Sequence, residues 1–110
     1  MAILLTQSFK KEVKRLSKKY PSLSTDLRNL LTDLEANPQL GEPLGQDCYK
    51  IRLRITSKNR GKSGGSRIIT YVQILDDVVY LLKLYDKSEQ STISDDELDR
   101  LIKQAQMMDE

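Results

Sequence analysis

The sequence predicts one α+β domain spanning residues 1–110. The expected order is strand, helix, helix, three strands, helix, with a mainly antiparallel sheet flanked by a helical hairpin and a C-terminal helix. Three observations lead there. Residues 48–55 alternate strictly, with Tyr49, Ile51, Leu53 and Ile55 on one side and Lys50, Arg52 and Arg54 on the other, which is strand periodicity. Two earlier stretches carry apolar residues at helical spacing, divided only by a break at Pro21. A chain of 110 residues without repeats or internal linkers suits one modest core.

Taken in order, Ala2 to Thr6 reads as a short strand, after which Ser8 offers a helix cap. Phe9, Val13, Leu16 and Tyr20 then form one narrow helical stripe that Pro21 ends. Ser22 or Ser24 restarts a helix with Leu23, Leu27, Leu30, Leu31 and Leu34 on its apolar face, closing at Asn37-Pro38. Gln39 to Gln46, with Gly41, Pro43 and Gly45, reads as a connecting loop. Strands are expected at about residues 49–55, 67–75 and 78–85, the last two joined by a polar turn at Asp76-Asp77. Ser94-Asp95-Asp96-Glu97 is a capping box that opens a final helix with Leu98, Leu101, Ile102 and Ala105 on one face.

Net charge is only +2, but the charges are segregated. Residues 8–20 hold six bases against one acid, whereas residues 86–110 hold eight acids against three bases. From Cys48 through Leu75 there is no acid at all, yet Lys50, Arg52, Arg54, Lys58, Arg60, Lys62 and Arg67 fall there. Seven cations without local neutralisation mark a polyanion-binding surface, and RNA phosphate is the natural ligand. An internal or partner carboxylate is the competing occupant of the Lys50/Arg52/Arg54 face, and the acidic C-terminal segment is a candidate source.

The single Cys48 forms no internal disulfide, fits a reducing cytosol, and reads as a small core residue. With no histidine there is no Cys–His pair, and neither metal nor cofactor is expected. The apolar Ala2-Ile3-Leu4-Leu5 is too short for a signal peptide and no stretch reaches membrane-span length, so a cytoplasmic protein without membrane partners is expected. Gly61-Lys62-Ser63 looks like the end of a phosphate-binding P-loop, but the required earlier glycine is Thr56. The run Arg67 to Val72 beyond it is strand-like rather than helical, so a basic hairpin loop is the better reading.

The element order and the Asp47-Cys48-Tyr49-Lys50-Ile51-Arg52-Leu53-Arg54 strand resemble the RelE/ParE superfamily of bacterial toxins. The loop and strand from Gly61 to Ile69, with the segment Leu82 to Glu89, look most like its HigB-like branch. The resemblance implies a RelE-like fold and the toxin of a type II toxin–antitoxin pair, acting as a ribosome-dependent mRNA endonuclease without a metal. Two alternatives stay open: a ParE-like, non-catalytic gyrase inhibitor, and a catalytically degenerate member that only binds its antitoxin. The implied partners are a cognate antitoxin and mRNA on the ribosome, with the toxin monomeric or in a hetero-oligomer with its antitoxin.

Carried over by position, Lys50 and Arg52 match the family's two basic strand residues, and Arg67 matches the arginine that holds the scissile phosphate. The general-acid arginine falls near Lys87-Ser88, where Lys87 is the available cation. Arg54, Lys58, Arg60, Lys62, Lys83 and Tyr85 are expected to contact RNA; Tyr85 is the aromatic nearest the place of the family's late, base-stacking tyrosine. Arg52 and Arg67 suit charge stabilisation, because a guanidinium grips two phosphate oxygens at once. Lys50, an ammonium able to release and regain a proton, is the better acid–base candidate.

Overall fold

Thr6, rather than Ser8, caps the first helix: its amide still donates to the Leu81 carbonyl at 3.2 Å, and its hydroxyl accepts from the Phe9 amide at 3.2 Å. The computed structural model, which describes residues 1–57 and 65–108, therefore begins with strand β1, Ala2–Leu5, followed by helix α1, Gln7–Lys19. Tyr20 and Pro21 break the helical run, and α2 comes next at Leu23–Ala36 from the Ser22 cap position. Its buried stripe of Leu23, Leu27, Leu30 and Leu34 is the one the spacing predicts.

The segment expected to be a loop contains a strand. Glu42–Gly45 forms β2 and pairs antiparallel with β3, Cys48–Leu53. Between them Gln46 and Asp47 both take positive φ, 55° and 63°, the backbone of a tight two-residue hairpin turn. Pro43 is tolerated because β2 is an edge strand. Gly41 is required where the chain enters it, since a Cβ there would lie 2.5 Å from the Lys50 carbonyl oxygen at a φ of +105°.

Strand β4 spans Ser66–Gln73 and β5 spans Val78–Asp86, joined by a 3₁₀ turn at Ile74–Asp76 with Asp77 left-handed at its end. The sheet order is β1-β5-β4-β3-β2, antiparallel except for the β1–β5 pair. Helix α3, Asp95–Met107, starts from Ser94, whose hydroxyl accepts from the Glu97 amide at 3.1 Å.

Both faces of the sheet are covered. The α1–α2 hairpin lies on one, where Phe9, Leu16 and the α2 leucines meet Ile51, Leu53, Ile68, Val79, Leu81 and Leu84. On the other, Leu98, Leu101, Ile102 and Ala105 of α3 meet Ile69, Tyr71, Tyr80 and Leu82. Two-sided burial explains why β4 and β5 read as nearly continuous apolar runs instead of alternating. No helix among the described residues is long and apolar enough to cross a membrane.

Two polar clamps fix the end of the sheet where the basic loop departs. The Asp26 carboxylate accepts from the Thr56 amide at 2.8 Å and its hydroxyl at 2.6 Å, while the Ser57 amide donates to Ser22 Oγ at 2.7 Å. Burial pushes the Asp26 carboxyl up, but the hydrogen bonds from Thr56 and Ser22 and the charge of Arg54 outweigh it and hold the group below its ordinary value. On the far side of the loop, the Tyr20 hydroxyl donates to the fully buried Asp86 carboxylate at 2.9 Å, and the Ser88 amide donates to its other oxygen at 3.0 Å.

These clamps generate two expectations. Tyr20→Phe leaves a buried carboxylate short of a charge-assisted bond and lowers stability by about 2 kcal/mol, read as a lower urea midpoint with unchanged slope. Asp26→Asn is destabilising at neutral pH, because a carboxyl held below its usual range contributes stability only while ionised. The gap between wild type and variant is therefore full above the ordinary aspartate value of 3.8 and closes as pH falls below it, measured by unfolding at a series of pH values.

Candidate functional site

Along β3, Tyr49, Ile51 and Leu53 pack toward the helical hairpin, so Cys48, Lys50 and Arg52 face the α3 side. On β4, Ile69 and Tyr71 face α3, and Arg67 shares their parity. Strand β5 does not keep phase. Ile69 pairs with Lys83 but Thr70 pairs with Leu81, so Leu82 is an extra, bulged residue. Strict alternation from Val79 and Leu81 would turn Lys83 and Tyr85 into the helical-hairpin core. The bulge instead brings both to the α3 side, where Tyr85 joins the α3 cluster and Lys83 meets α3.

Two cross-strand rows result. Arg52 lies opposite Arg67, and Arg67 lies opposite Tyr85. One step further along, Lys50 lies opposite Ile69 and Ile69 opposite Lys83. Directly opposed residues hold their Cβ atoms about 5 Å apart, and same-face neighbours along a strand lie roughly 7 Å apart. The fold thus gathers Lys50, Arg52, Arg67, Lys83 and Tyr85 on one face. Helix α3 covers the adjoining Tyr71–Tyr80 end, where Gln106 donates to the Tyr71 hydroxyl at 3.3 Å.

Burial differs sharply across the first row: Arg52 is exposed, whereas Arg67 and Tyr85 are only 7% and 2% exposed. One Arg67 guanidinium nitrogen donates to the Ser66 carbonyl at 3.1 Å. Thr70 and Tyr85 carry the buried side-chain oxygens that lack a hydrogen-bond partner among the described residues. Burial pushes the Tyr85 phenol up; Arg67 pulls it down and Glu97 pushes it up, so both charges act on this hydroxyl.

The second row is partly neutralised from inside the protein. Lys50 Nζ lies 3.3 Å from a Glu42 carboxylate oxygen, supplied by the strand that reads as a loop. Lys83 is ion-paired with Glu97 in the first turn of α3, which also receives a bond from Gln90 at 3.1 Å. Arg54 is exposed; with Arg52 it lines a groove of about 240 Å³ at the open edge of β3, shared with Asp26 and Asp33 of α2. The expected internal carboxylates therefore exist, but on β2, α2 and the start of α3 rather than in the acidic segment as a whole. That segment does reach the basic helix, where Glu89 accepts from Arg15 at 2.8 Å.

Lys87 stands exposed in the turn after β5, and its amide donates to the Gly65 carbonyl at 3.3 Å, which ties the two loops together. Gly65 has to be glycine: at a φ of +73°, a Cβ would lie 2.7 Å from the Leu53 carbonyl oxygen. Lys58, Arg60 and Lys62 lie outside the described residues. Cys48 is buried, and burial, with the charge of Asp47, pushes its thiol up to about 12, as suits a core residue and not a nucleophile.

Sequence reasoning misses Glu42 and Glu97 as partners of the two lysines. Glu97 is visible there only as a capping residue. Glu42 is hidden because Pro43 argues against a strand and Gln46-Asp47 lacks the glycine that usually announces a tight hairpin.

Chemically, the row offers two guanidinia on adjacent strands with a phenol beside the second, and an ammonium lies one step away. That set can hold a tetrahedral oxyanion. Solved structures carry the same fold. The free E. coli toxin RelE, as a double arginine-to-alanine mutant, superposes with a TM-score of 0.59 at 20% identity, covering 82% of this chain and 86% of that one. The intact E. coli RelBE toxin–antitoxin complex gives a TM-score of 0.57 at 21% identity, covering 76% of this chain and 92% of the matched chain. The family described as the RelE toxin of the RelE/RelB toxin–antitoxin system matches residues 1–110, and this chain belongs to it.

Proposed function

We propose that this chain is the toxin of a type II toxin–antitoxin pair and cuts mRNA on the ribosome in the cytoplasm. The observation that carries the reading is Arg52 directly opposite Arg67 at the end of the sheet. Facing each other across neighbouring strands, the two guanidinium groups can donate to one RNA phosphate at once.

In the proposed reaction an RNA 2′-hydroxyl attacks the adjacent phosphorus. The bond to the 5′-oxygen breaks, leaving a 2′,3′-cyclic phosphate and a 5′-hydroxyl. Arg52 and Arg67 stabilise the charge that grows on the phosphoryl oxygens. Lys50, acting as its neutral amine, accepts the proton from the 2′-hydroxyl, and Glu42 pairs with the ammonium so formed. Lys87, at the family's general-acid position, supplies the proton to the leaving oxygen, while Arg54, Lys58, Arg60, Lys62 and Lys83 guide the RNA backbone. The chain has no histidine to carry the proton transfers, so alignment of the message by the ribosome supplies much of the rate, and free RNA is a poor substrate.

The cognate antitoxin, whose existence the RelBE likeness and the family support, is proposed to cover the Lys50/Arg52/Arg54 face or to displace α3 from beside it.

Expression of this protein alone is expected to arrest growth, with primer extension on a translated message showing new cuts within codons. Intact messages together with altered DNA supercoiling would instead establish gyrase inhibition. Arg52→Ala, at an exposed position, and Arg67→Met, which keeps the buried volume, should each lower cleavage by about a hundredfold or more while the protein still unfolds cooperatively.

Antitoxin affinity should fall as salt rises, since charges near a surface are screened over about 8 Å at physiological ionic strength. Titrations across a salt series with wild type and the Lys50→Ala/Arg52→Ala variant check this. Affinity indifferent to both would place the antitoxin elsewhere.

A further inference from the structure

We infer that the Tyr85 hydroxyl is a catalytic hydrogen-bond donor, delivered by the Leu82 bulge to the same scissile phosphate that Arg52 and Arg67 grip. This rests on the nuclease reading above and gives the hydroxyl of Tyr85, a residue expected to contact RNA, a part in the reaction.

The first support is an unexplained cost. Tyr85 is 2% exposed and its hydroxyl has no hydrogen-bond partner among the described residues. A buried hydroxyl left unpaired costs about 1–3 kcal/mol, whereas phenylalanine would fill the same space without it. The second support is place. Thr70, the other unpartnered buried hydroxyl, lies on the opposite side of the sheet, sharing parity with Ile68 and Val72 of the helical-hairpin core. Tyr85 instead completes the row Arg52–Arg67–Tyr85, with Arg67 as its immediate cross-strand neighbour.

The third support is protonation. Burial pushes the phenol up from its ordinary value of 10.0, so at neutral pH the group is a donor and not a base. As the 2′-oxygen–phosphorus bond forms and the bond to the 5′-oxygen breaks, negative charge grows on the phosphoryl oxygens. Tyr85 donates a hydrogen bond to one of them and keeps its proton. The proton lost by the 2′-hydroxyl is balanced by the one gained at the 5′-oxygen, through Lys50 and Lys87. Three donors on one phosphate, two charged and one neutral, make an oxyanion site whose least exposed member is set by strand packing.

The test is single-turnover cleavage of a message on programmed ribosomes by wild type, Tyr85→Phe and Thr70→Val, with thermal unfolding of each. Tyr85→Phe should cut about a hundredfold more slowly, yet melt at or above the wild-type temperature, because the unpaired hydroxyl is gone. Its affinity for ribosomes carrying a 2′-deoxy nucleotide at the cleavage position should change by less than about threefold, since the bond strengthens only as charge develops. Thr70→Val, losing the other unpartnered hydroxyl, should cut at the wild-type rate. Tyr85→Phe cutting within about threefold of wild type, or losing rate together with melting temperature, overturns the assignment and leaves the nuclease reading standing. A wild-type protein that cuts no translated message overturns the nuclease reading itself, and the Tyr85 role with it.

Discussion

The single extra residue at Leu82 decides which residues the end of this sheet turns toward α3. Strand β5 lies between β1 and β4 and is buried on both faces, so its alternation would normally be locked by its apolar neighbours. By bulging at Leu82 the strand keeps Val79, Leu81 and Leu84 in the helical-hairpin core while turning Lys83 and Tyr85 to the α3 side. Both halves of the strand stay apolar where they must, and the change of phase falls between the core and the cationic end. Without it, an ammonium and a phenol would be driven into the helical-hairpin core, and the row that begins at Arg52 would stop at Arg67.

Much of the fold was legible because its strongest signals are local. The stripes of α1, α2 and α3 and the Ser94 cap appear where spacing and cap chemistry put them. The β3 alternation placed Lys50 and Arg52 correctly on one face, since an interior strand of a sheet covered unequally at its end must sort its residues by parity. Pairings were not legible. That Arg52 meets Arg67, and Arg67 meets Tyr85, depends on register, and the bulge that sets the register leaves no composition signal in the run Val78 to Asp86. Likewise Glu42 became a partner of Lys50 only through a hairpin whose turn residues, Gln46 and Asp47, adopt a backbone that glycine or asparagine more often signals.

Internal carboxylates alter how the cationic surface should be understood. Glu42 on Lys50 and Glu97 on Lys83 pair with two of the flanking cations, and Asp26 lies close enough to Arg54 to feel its charge. Each of these acids sits at the periphery of the Arg52–Arg67–Tyr85 row, on β2, α3 or α2. The long side chains at the rim therefore lose rotamer freedom before any ligand arrives, which lowers the entropic cost of binding. An incoming phosphate must still compete with them, so the arrangement favours a ligand that engages several cations at once over an isolated anion. The proposed ligand, an RNA strand with several phosphates, meets that requirement better than free phosphate does.

A buried phenol without a hydrogen-bond partner among the described residues weakens the fold locally, and the clamps on either side of it explain how the fold tolerates it. Asp26 ties the exit of β3 to the first turns of α2, and the Tyr20–Asp86 pair ties the end of β5 to the end of α1. Between them, the Lys87 amide donates to Gly65 and joins the start of β4 to the turn after β5. None of the three contacts uses the side chain of Lys50, Arg52 or Lys87, or the Tyr85 hydroxyl. Of these residues only Lys87 belongs to the proposed site, and it enters the contact through its backbone amide. The groups of the row stand on strands whose positions these contacts already fix, and its two least exposed members, Arg67 and Tyr85, are held by the packing of β4 and β5.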